Sequence, residues 1–399
     1  MNDALDRRKF LKTMTSASLI SALPQSAFGL NPSAHVMHEI AQSDPTVVAK
    51  DHIRFSVCGM SHDHIYGMVG AMIRGGGELV SVYAAEPERG AAFIKRYPQA
   101  KLVKTEAEVL DDASIQLVLS SAVPVERAGI GIRAMRRGKD YLSDKPGVTT
   151  MEQLAGIRRT IHETKRTYAI MYSERLEVKA AVKAGELVHA GAIGQVVQTI
   201  NIAGHQVTQK GGDNGGGSGR PDWFWDPIKY GGILTDIGSH QVDQFLYYTG
   251  SDEAQVTASQ VSNVHHKKYP DFQDFGDVML HGNRGAGYVR VDWFTPNGLG
   301  TWGDGRLFIL GTEGYIELRK YIDIAGRPGG NHLFIVDQKQ TRYIDCNNVV
   351  LPFGPQFVSD VVNRTHIAQD QQQCLLAAQL VLEAQKNAKH LTFLNSPNA

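Results

Sequence analysis

The sequence predicts two domains: an α/β domain built on a doubly wound parallel sheet, then an α+β domain with a large, mostly antiparallel open sheet. Three observations carry this. The chain has 399 residues, more than one core usually supports, since single cores stop growing at about 250–300 residues. Between residues 52 and 165, short apolar runs alternate with segments of helical spacing, the pattern of βαβ units. Beyond residue 165, extended runs succeed one another with few helices between them, as antiparallel sheets read.

In chain order, residues 30–51 are a polar leader without strong periodicity, and order begins at Ile53. IRFSVCG is a strand ending in glycine, and HIYGMVGAMIRG follows with Ile65, Met68, Val69 and Met72 at helical spacing. ELVSVYAAEP, SIQLVLSSAVP and DYLSDKP read as further strands, with RGAAFIKRYP and ERAGIGIRAMRRG as the helices between them. In the second domain, residues 166–399, YAIMYSE is a strand, EVKAAVKAGELVHAG a helix and GQVVQTINIAGHQV a long strand. A glycine-rich stretch, QKGGDNGGGSGRPD, precedes the helix of GGILTDIGSHQVDQF; five extended segments then lead to the last helix, CLLAAQLVLEAQKNAK.

Lys plus Arg and Asp plus Glu both number 41, so no basic field exists of the kind that binds nucleic acid or anionic membranes. A small molecule is the expected ligand. With 42% hydrophobic and 21% charged residues the composition is that of an ordinary globular protein. Residues 1–29 resemble a twin-arginine export signal: RRKFLK follows Asp6, and a modestly apolar run extends from Met14 to Leu23. That run is shorter than the roughly 20 residues a transmembrane helix needs. The resemblance implies passage through the twin-arginine machinery to the periplasm, with a retained N-terminal anchor as the variant. Cys58, Cys346 and Cys374 are too few and too scattered for a disulfide framework or a zinc cluster.

Two places carry chemistry. Dinucleotide folds hold a pyrophosphate at a helix N-terminus through a glycine turn after the first strand. Here the turn reads GMSHDHIYG from Gly59; only that first glycine remains, with Ser61 and His64 at the later glycine positions. His62 and His64 can line the cleft or sit as partly buried turn residues. No metal is expected from them, because neighbours on a turn diverge and spacing identifies no third ligand. Glu86, ending the second strand, is placed to accept hydrogen bonds from both ribose hydroxyls of NAD and to repel the extra phosphate of NADP; it also reads as a solvated acid opening a helix. The second place is GGILTDIGSHQVD, where Asp236, His240 and Asp243 stand at i, i+4 and i+7 and share a helix face. That stripe is a solvated face, a metal site or a catalytic apparatus.

DKP at 144–146 followed by GGILTDIGSHQVD resembles the glucose-fructose oxidoreductase and inositol dehydrogenase family (Gfo/Idh/MocA), whose signatures are an E-K-P turn and a G-G-x-x-x-D-x-G-x-H-x-x-D helix. The resemblance covers nearly everything after the first 29 residues. It implies a Rossmann NAD(P)-binding domain over 52–165 and a substrate-binding and oligomerisation domain over 166–399. The implied activity is NAD(P)-dependent oxidation or reduction of sugars or polyols. The catalytic set carried over is Lys145, Asp236 and His240; Asp144 replaces the usual glutamate with a shorter reach. The cofactor side comprises Gly59, Ser61, His62, Glu86, Ser121, Asp144 and Lys145.

In hydride transfer from an alcohol, a base removes the hydroxyl proton while a donor stabilises charge on oxygen. His240 is the expected base, with Lys145 orienting the hydroxyl and Asp236 binding a sugar hydroxyl or polarising the imidazole. Gly231 and Gly232 would let the backbone approach ligand or cofactor. Asp243 is expected to support the helix. Arg175 and Trp225 join Asp236 and His240 on the substrate side. Trp223, Trp225, Trp293 and Trp302 suit sugar faces, although for any single one a core position is the plainer reading. Where the family commonly has Asn-x-x-His, this chain has VPVERAG. NAD is expected over NADP, held tightly enough to recycle, in a homo-oligomer closed over the open sheet face. Two alternatives stand beside a sugar dehydrogenase: a glycosidase that transiently oxidises C3 and eliminates, and a sugar-binding protein that has lost the cofactor.

Overall fold

The computed structural model describes residues 36–41, 49–207 and 220–392. The export-signal reading, part of the leader and most of the glycine-rich stretch lie outside these residues.

The first described element, β1 (Met37–Ile40), pairs in parallel with a strand near the other end of the chain. The leader is thus part of the second domain's sheet. Three of its four side chains are exposed, so only backbone pairing makes it a strand and no apolar alternation announces it.

The α/β domain follows in the expected order. Strands β2 (Ile53–Met60), β3 (Gly77–Tyr83), β4 (Lys101–Leu102), β5 (Leu117–Ser121), β6 (Asp140–Asp144) and β7 (Tyr168–Met171) form a six-stranded sheet in the order β4-β3-β2-β5-β6-β7. Every pair in it is parallel. Crossovers run through α1 (His64–Arg74), α2 (Pro87–Arg96), α3 (Glu106–Leu110), α4 (Pro124–Arg136) and α5 (Met151–Thr164). Burial on both faces, as parallel sheets require, is complete for β5, β6 and β7. Because β7 belongs to this sheet, the domain runs past residue 165 to Met171. YAIM was assigned to the second domain because four buried residues carry no mark of which sheet they join.

After α6 (Ser173–Leu176) and α7 (Lys179–His189), strand β8 (Val196–His205) enters the middle of a ten-stranded sheet. The short helices α8 (Pro227–Tyr230) and α9 (Ile233–Asp236) lead into α10 (Gly238–Thr249). The remaining strands are β9 (Ala254–Ser262), β10 (Phe275–Gly282), β11 (Gly285–Asp292), β12 (Gly303–Gly311), β13 (Gly314–Arg319), β14 (His332–Asp337), β15 (Thr341–Asp345) and β16 (Lys389–His390). Their order is β1-β15-β14-β13-β12-β8-β11-β10-β9-β16; six of the nine pairings are antiparallel and three parallel.

Helix α11 (Phe353–Asn363) returns to the α/β domain, where Phe353, Phe357, Val358 and Val361 share a core with Met68, Val69 and Met72 of α1. Helix α12 (Gln371–Asn387) shares a core with α10. The core of α12 also includes Ile170 of β7 and Ile233 and Leu234 of α9, which joins the parallel sheet to the helices before α10. No helix among the described residues is long and apolar enough to cross a membrane.

Candidate active site

Strand β6 delivers Asp144 and Lys145 to the carboxyl edge of the parallel sheet, where open α/β sheets bind ligands. The Lys145–Pro146 peptide is cis. Lys145 is buried, and its Nζ donates to Asp236 Oδ1 at 2.8 Å. Asp144 is buried as well; its Oδ1 lies 2.9 Å from His64 Nδ1 and its Oδ2 3.1 Å from Arg127 Nη2. Burial works against its ionised form, but His64 and Arg127 outweigh it and hold the carboxyl well below its usual range. Arg127, 1% exposed, also donates from Nε to the Ala122 carbonyl at 2.7 Å and from Nη1 to the Lys145 carbonyl. The guanidinium therefore braces both residues of the turn. It comes from the VPVERAG segment, and its signal in the sequence was an arginine on the helix face that also carries Gly131 and Ala134, all buried.

The glycine pair before α9 serves the fold rather than a ligand. Gly231 and Gly232 have φ of 91° and 87°, and a Cβ on Gly232 would lie 2.3 Å from the Gln385 side chain. Gln385 Oε1 accepts from the Leu234 amide at 3.1 Å and Gln273 Oε1 from the Ile233 amide at 2.9 Å. The close approach expected for a cofactor is made by α12, whose amide caps the helix start.

Ile237 joins α9 to α10 with helical backbone, its amide donating to the Ile233 carbonyl at 3.0 Å and its carbonyl accepting from the His240 amide at 3.2 Å, and the Ser239 hydroxyl donates to the Asp236 carbonyl at 2.8 Å. Asp236 faces Lys145, so it polarises the lysine and not the imidazole. His240 is buried, and its Nδ1 finds no hydrogen-bond partner. Burial, with Lys145, His64 and Lys320 adding to it and Glu174 opposing, lowers its pKa to about 3. Burial here favours the neutral imidazole, below the ordinary value from which His240 was expected to act as a base. Behind it lies a polar cluster that the sequence reading passed over. Lys320 Nζ donates to Glu174 Oε2 and Gln244 Oε1, each at 2.8 Å, and Gln241 Nε2 donates to Glu174 at 3.0 Å. Lys320 outweighs the burial of Glu174 and holds its pKa at about 2.

Arg175 is not on the substrate side. Its guanidinium grips Asp243 through Nε at 2.6 Å and Nη2 at 2.9 Å, both side chains are buried, and the guanidinium lies 4.5 Å from the Tyr247 ring centroid. The two-pronged pair holds the buried guanidinium at the contact between α6 and α10. Asp243 supports the helix as expected, by anchoring α10 to α6.

Trp225 also departs from its expected place. It stacks on Tyr269 at 4.0 Å between centroids and packs against Phe224 and Phe272. The tryptophan nearer the turn is Trp223, whose ring lies 6.3 Å from His62. His205, at the end of β8, adds a group that sequence reasoning missed; it sits 5.5 Å from Trp293 and 4.8 Å from Trp302. Burial, with Lys145 adding to it and Glu174 and Asp236 opposing, lowers its pKa to about 4.

On the cofactor side, Gly59 has φ of 82° and a Cβ there would lie 2.8 Å from Ala122 Cβ, so the tight turn needs its glycine. The next residues are tied down by the chain itself. The amides of Ser61 and His62 both donate to the Ser121 carbonyl, at 2.8 and 3.1 Å, and Ser121 Oγ donates to the His62 carbonyl at 2.7 Å. Ser121 is thus a clasp for the turn, and two amides suited to a pyrophosphate are already used. Asp63, at the start of α1, pairs with Arg89 at 3.0 Å. The ribose end fits better: Ser61 Oγ donates to Glu86 Oε1 at 2.7 Å, while the buried Glu86 Oε2 finds no donor in the chain. A dinucleotide therefore fits at its two ends, through Glu86 and through Lys145 with Asp236, more readily than at the turn between them.

A parallel nucleotide-type sheet, an open mixed sheet and a lysine–aspartate pair at their junction define the class to which the chain belongs. Residues 181–317 match the model of the GFO/IDH/MocA C-terminal domain. The chain is 42% identical to a protein from Erwinia carotovora atroseptica SCRI1043, provisionally described as an oxidoreductase, with 85% of this chain and 100% of that one covered at a TM-score of 0.81. The chain belongs to the Gfo/Idh/MocA family of oxidoreductases. It is similar to inositol 2-dehydrogenase 2 of Saccharopolyspora erythraea, at 22% identity over 68% of this chain and 76% of that one. The alignment with an uncharacterised Schizosaccharomyces pombe oxidoreductase, at 26% identity, spans 46% of this chain and 47% of that relative. The fold is also that of KijD10, a 3-ketoreductase from Actinomadura kijaniata solved with NADP and TDP-benzene; identity is 16%, coverage 86% and 100%, and the TM-score 0.68.

Proposed function

We propose that this protein is an NAD(P)-dependent oxidoreductase acting on a secondary hydroxyl of a sugar, polyol or glycoside. The observation that carries the reading is the buried 2.8 Å Lys145–Asp236 pair at the carboxyl edge of the parallel sheet. A nicotinamide, when bound, supplies the hydride acceptor or donor. Lys145 donates a hydrogen bond to the reacting oxygen and stabilises the negative charge that develops on it. The hydroxyl proton leaves to the Asp236 carboxylate, which Lys145 holds at 2.8 Å. His240 instead contributes a neutral imidazole to the site wall, and Arg127 fixes the turn that presents the lysine. Dehydrogenases of inositol and D-xylose and a reductase of 1,5-anhydro-D-fructose among the relatives support a carbohydrate substrate.

Glu86 supports NAD over NADP, since its carboxylate would face an added 2′-phosphate; the relatives bearing NADP make this a point to measure. Export by the twin-arginine route rests on RRKFLK and the run after it. A homo-oligomer closed over the ten-stranded sheet is supported by exposed Val197, Met279 and Leu310 on its strands.

The test pairs Lys145→Ala and Asp236→Asn with the native protein on a panel of sugars and glycosides, following NADH formation and glycoside cleavage separately. Loss of turnover in both variants with nucleotide binding retained is expected. Native turnover in both would remove the pair from the chemistry.

A further inference from the structure

We propose that His62, His64 and Asp144 form a site for a divalent first-row transition-metal ion beside the Lys145 turn. The inference stands apart from the oxidoreductase reading, for it concerns binding of an ion by the chain alone.

One ligand atom from each of the three residues lies within 4.8 Å of the others. The two imidazoles meet edge to face at 4.0 Å between centroids. His64 Nδ1 is 2.9 Å from Asp144 Oδ1, and His62 Nδ1 is 3.8 Å from Asp144 Oδ2. Two imidazoles and one carboxylate form a ligand set suited to Zn²⁺, Fe²⁺, Co²⁺ or Mn²⁺, with open positions left for an oxygen ligand. The sequence alone argued against such a set, because side chains two apart on a turn diverge and spacing named no third ligand. The structure removes both objections. The Ser121 clasp fixes the turn, helix α1 begins at His64, and the third ligand arrives from β6 on another part of the chain.

The surroundings are built for a held carboxylate. Arg127 reaches Oδ2 of Asp144 at 3.1 Å while its other nitrogens are spent on the Ala122 and Lys145 carbonyls. Oδ1 faces His64, and Oδ2, which finds no hydrogen-bond partner, lies 3.8 Å from His62 Nδ1, so the carboxylate has an oxygen toward each imidazole. On binding, Nδ1 of His64, which faces Oδ1 at 2.9 Å, would present a lone pair to the metal with any proton it carried released or held on Nε2. Lys145, the nearest ammonium in sequence, is neutralised by Asp236. The His62 and His64 side chains are 25% and 41% exposed, so an ion has a path in. A transition ion here would bring a Lewis acid to an oxygen of a ligand lying next to Lys145.

The experiment uses the full chain, without a polyhistidine tag, stripped with chelator and titrated with CoCl₂ and ZnCl₂ by calorimetry; visible absorption of the Co²⁺ form reports its ligands. One ion per chain is expected. His62→Ala and His64→Ala should each weaken binding by at least about tenfold and alter the Co²⁺ spectrum, while His281→Ala, at an exposed position of β10, leaves both unchanged. His64→Asn serves if alanine at the helix start prevents folding. Absence of stoichiometric binding overturns the proposal, as does binding that survives undiminished in both His62→Ala and His64→Ala. Because no nucleotide or sugar is present, failure here leaves the oxidoreductase reading untouched, and failure of that reading leaves this result standing.

Discussion

Replacing His240 with asparagine should remove part of the protein's sensitivity to acid, by an amount that follows from the site. In the folded chain His240 titrates at about 3, against an ordinary value of 6.5. Between these values the unfolded chain takes up a proton that the folded chain refuses, so the unfolded state binds more protons and stability rises with pH. The loss therefore appears as pH falls below 6.5 and levels off only near 3. Going from pH 7 to pH 5, this single group costs the native state about 2 kcal/mol, since each unit of separation is worth about 1.36 kcal/mol. The assay is urea denaturation of the native protein and His240→Asn at pH 5 and pH 7. The native protein should lose about 2 kcal/mol more than the variant between the two values. The variant still declines somewhat, because His205, lowered to about 4, acts in the same direction. Equal pH dependence in the two proteins, or a steeper decline in the variant, would refute a buried neutral imidazole and restore His240 as a candidate base.

Other outcomes follow from the same contacts. Lys145→Ala should lower kcat by roughly 10² or more, as loss of a charge-stabilising donor does, in a steady-state assay on whichever sugar is turned over; an effect on KM alone would make the lysine a binding residue. Glu86→Ala should raise affinity for NADP relative to NAD, read by fluorescence titration with each nucleotide, and an unchanged ratio would remove Glu86 from the ribose site. Arg175→Ala should act on stability, because it leaves a buried Asp243 without its partner; a loss of about 3–5 kcal/mol is expected from such a break, measured by denaturation. A stable variant with only KM raised would return Arg175 to the substrate side.

Much of the architecture was legible because it rests on periodicity. The alternation of IRFSVCG, ELVSVYAAEP and SIQLVLSSAVP with helical segments announces the parallel sheet, since each strand must be buried on both faces. Strand β1 was illegible because its MHEI side chains are mostly exposed and its pairing partner lies in β15. YAIM was read as a strand and assigned to the wrong domain, since burial alone does not name a sheet. At the site, spacing put Asp236 and His240 on one helix, and DKP placed Lys145 at a sheet edge, so the lysine–aspartate pair could be anticipated. Partners that come from distant elements could not. Arg127 braces Asp144 from α4, Gln385 fills the space beside Gly232 from α12, and Asp243 claims Arg175 from α10. In the YSERLE segment the two neighbouring charges take different partners: Glu174 joins Lys320 near His240, while Arg175 turns to Asp243. Nothing in local spacing distinguishes those two directions. The depressed pKa of His240 was hidden for the same reason, since burial arises from elements packed around the helix and not from the helix itself.

The most direct measurement is to denature the protein purified from the cytoplasm, identify any released nucleotide by mass spectrometry, and titrate the nucleotide-free chain with NAD and NADP. The account predicts a nicotinamide dinucleotide, either carried through purification or bound on addition, with binding weakened by Glu86→Ala. A chain that releases no nucleotide and binds neither NAD nor NADP would show that the clasped turn at Gly59–His64 no longer admits a dinucleotide, and the oxidoreductase assignment would fall.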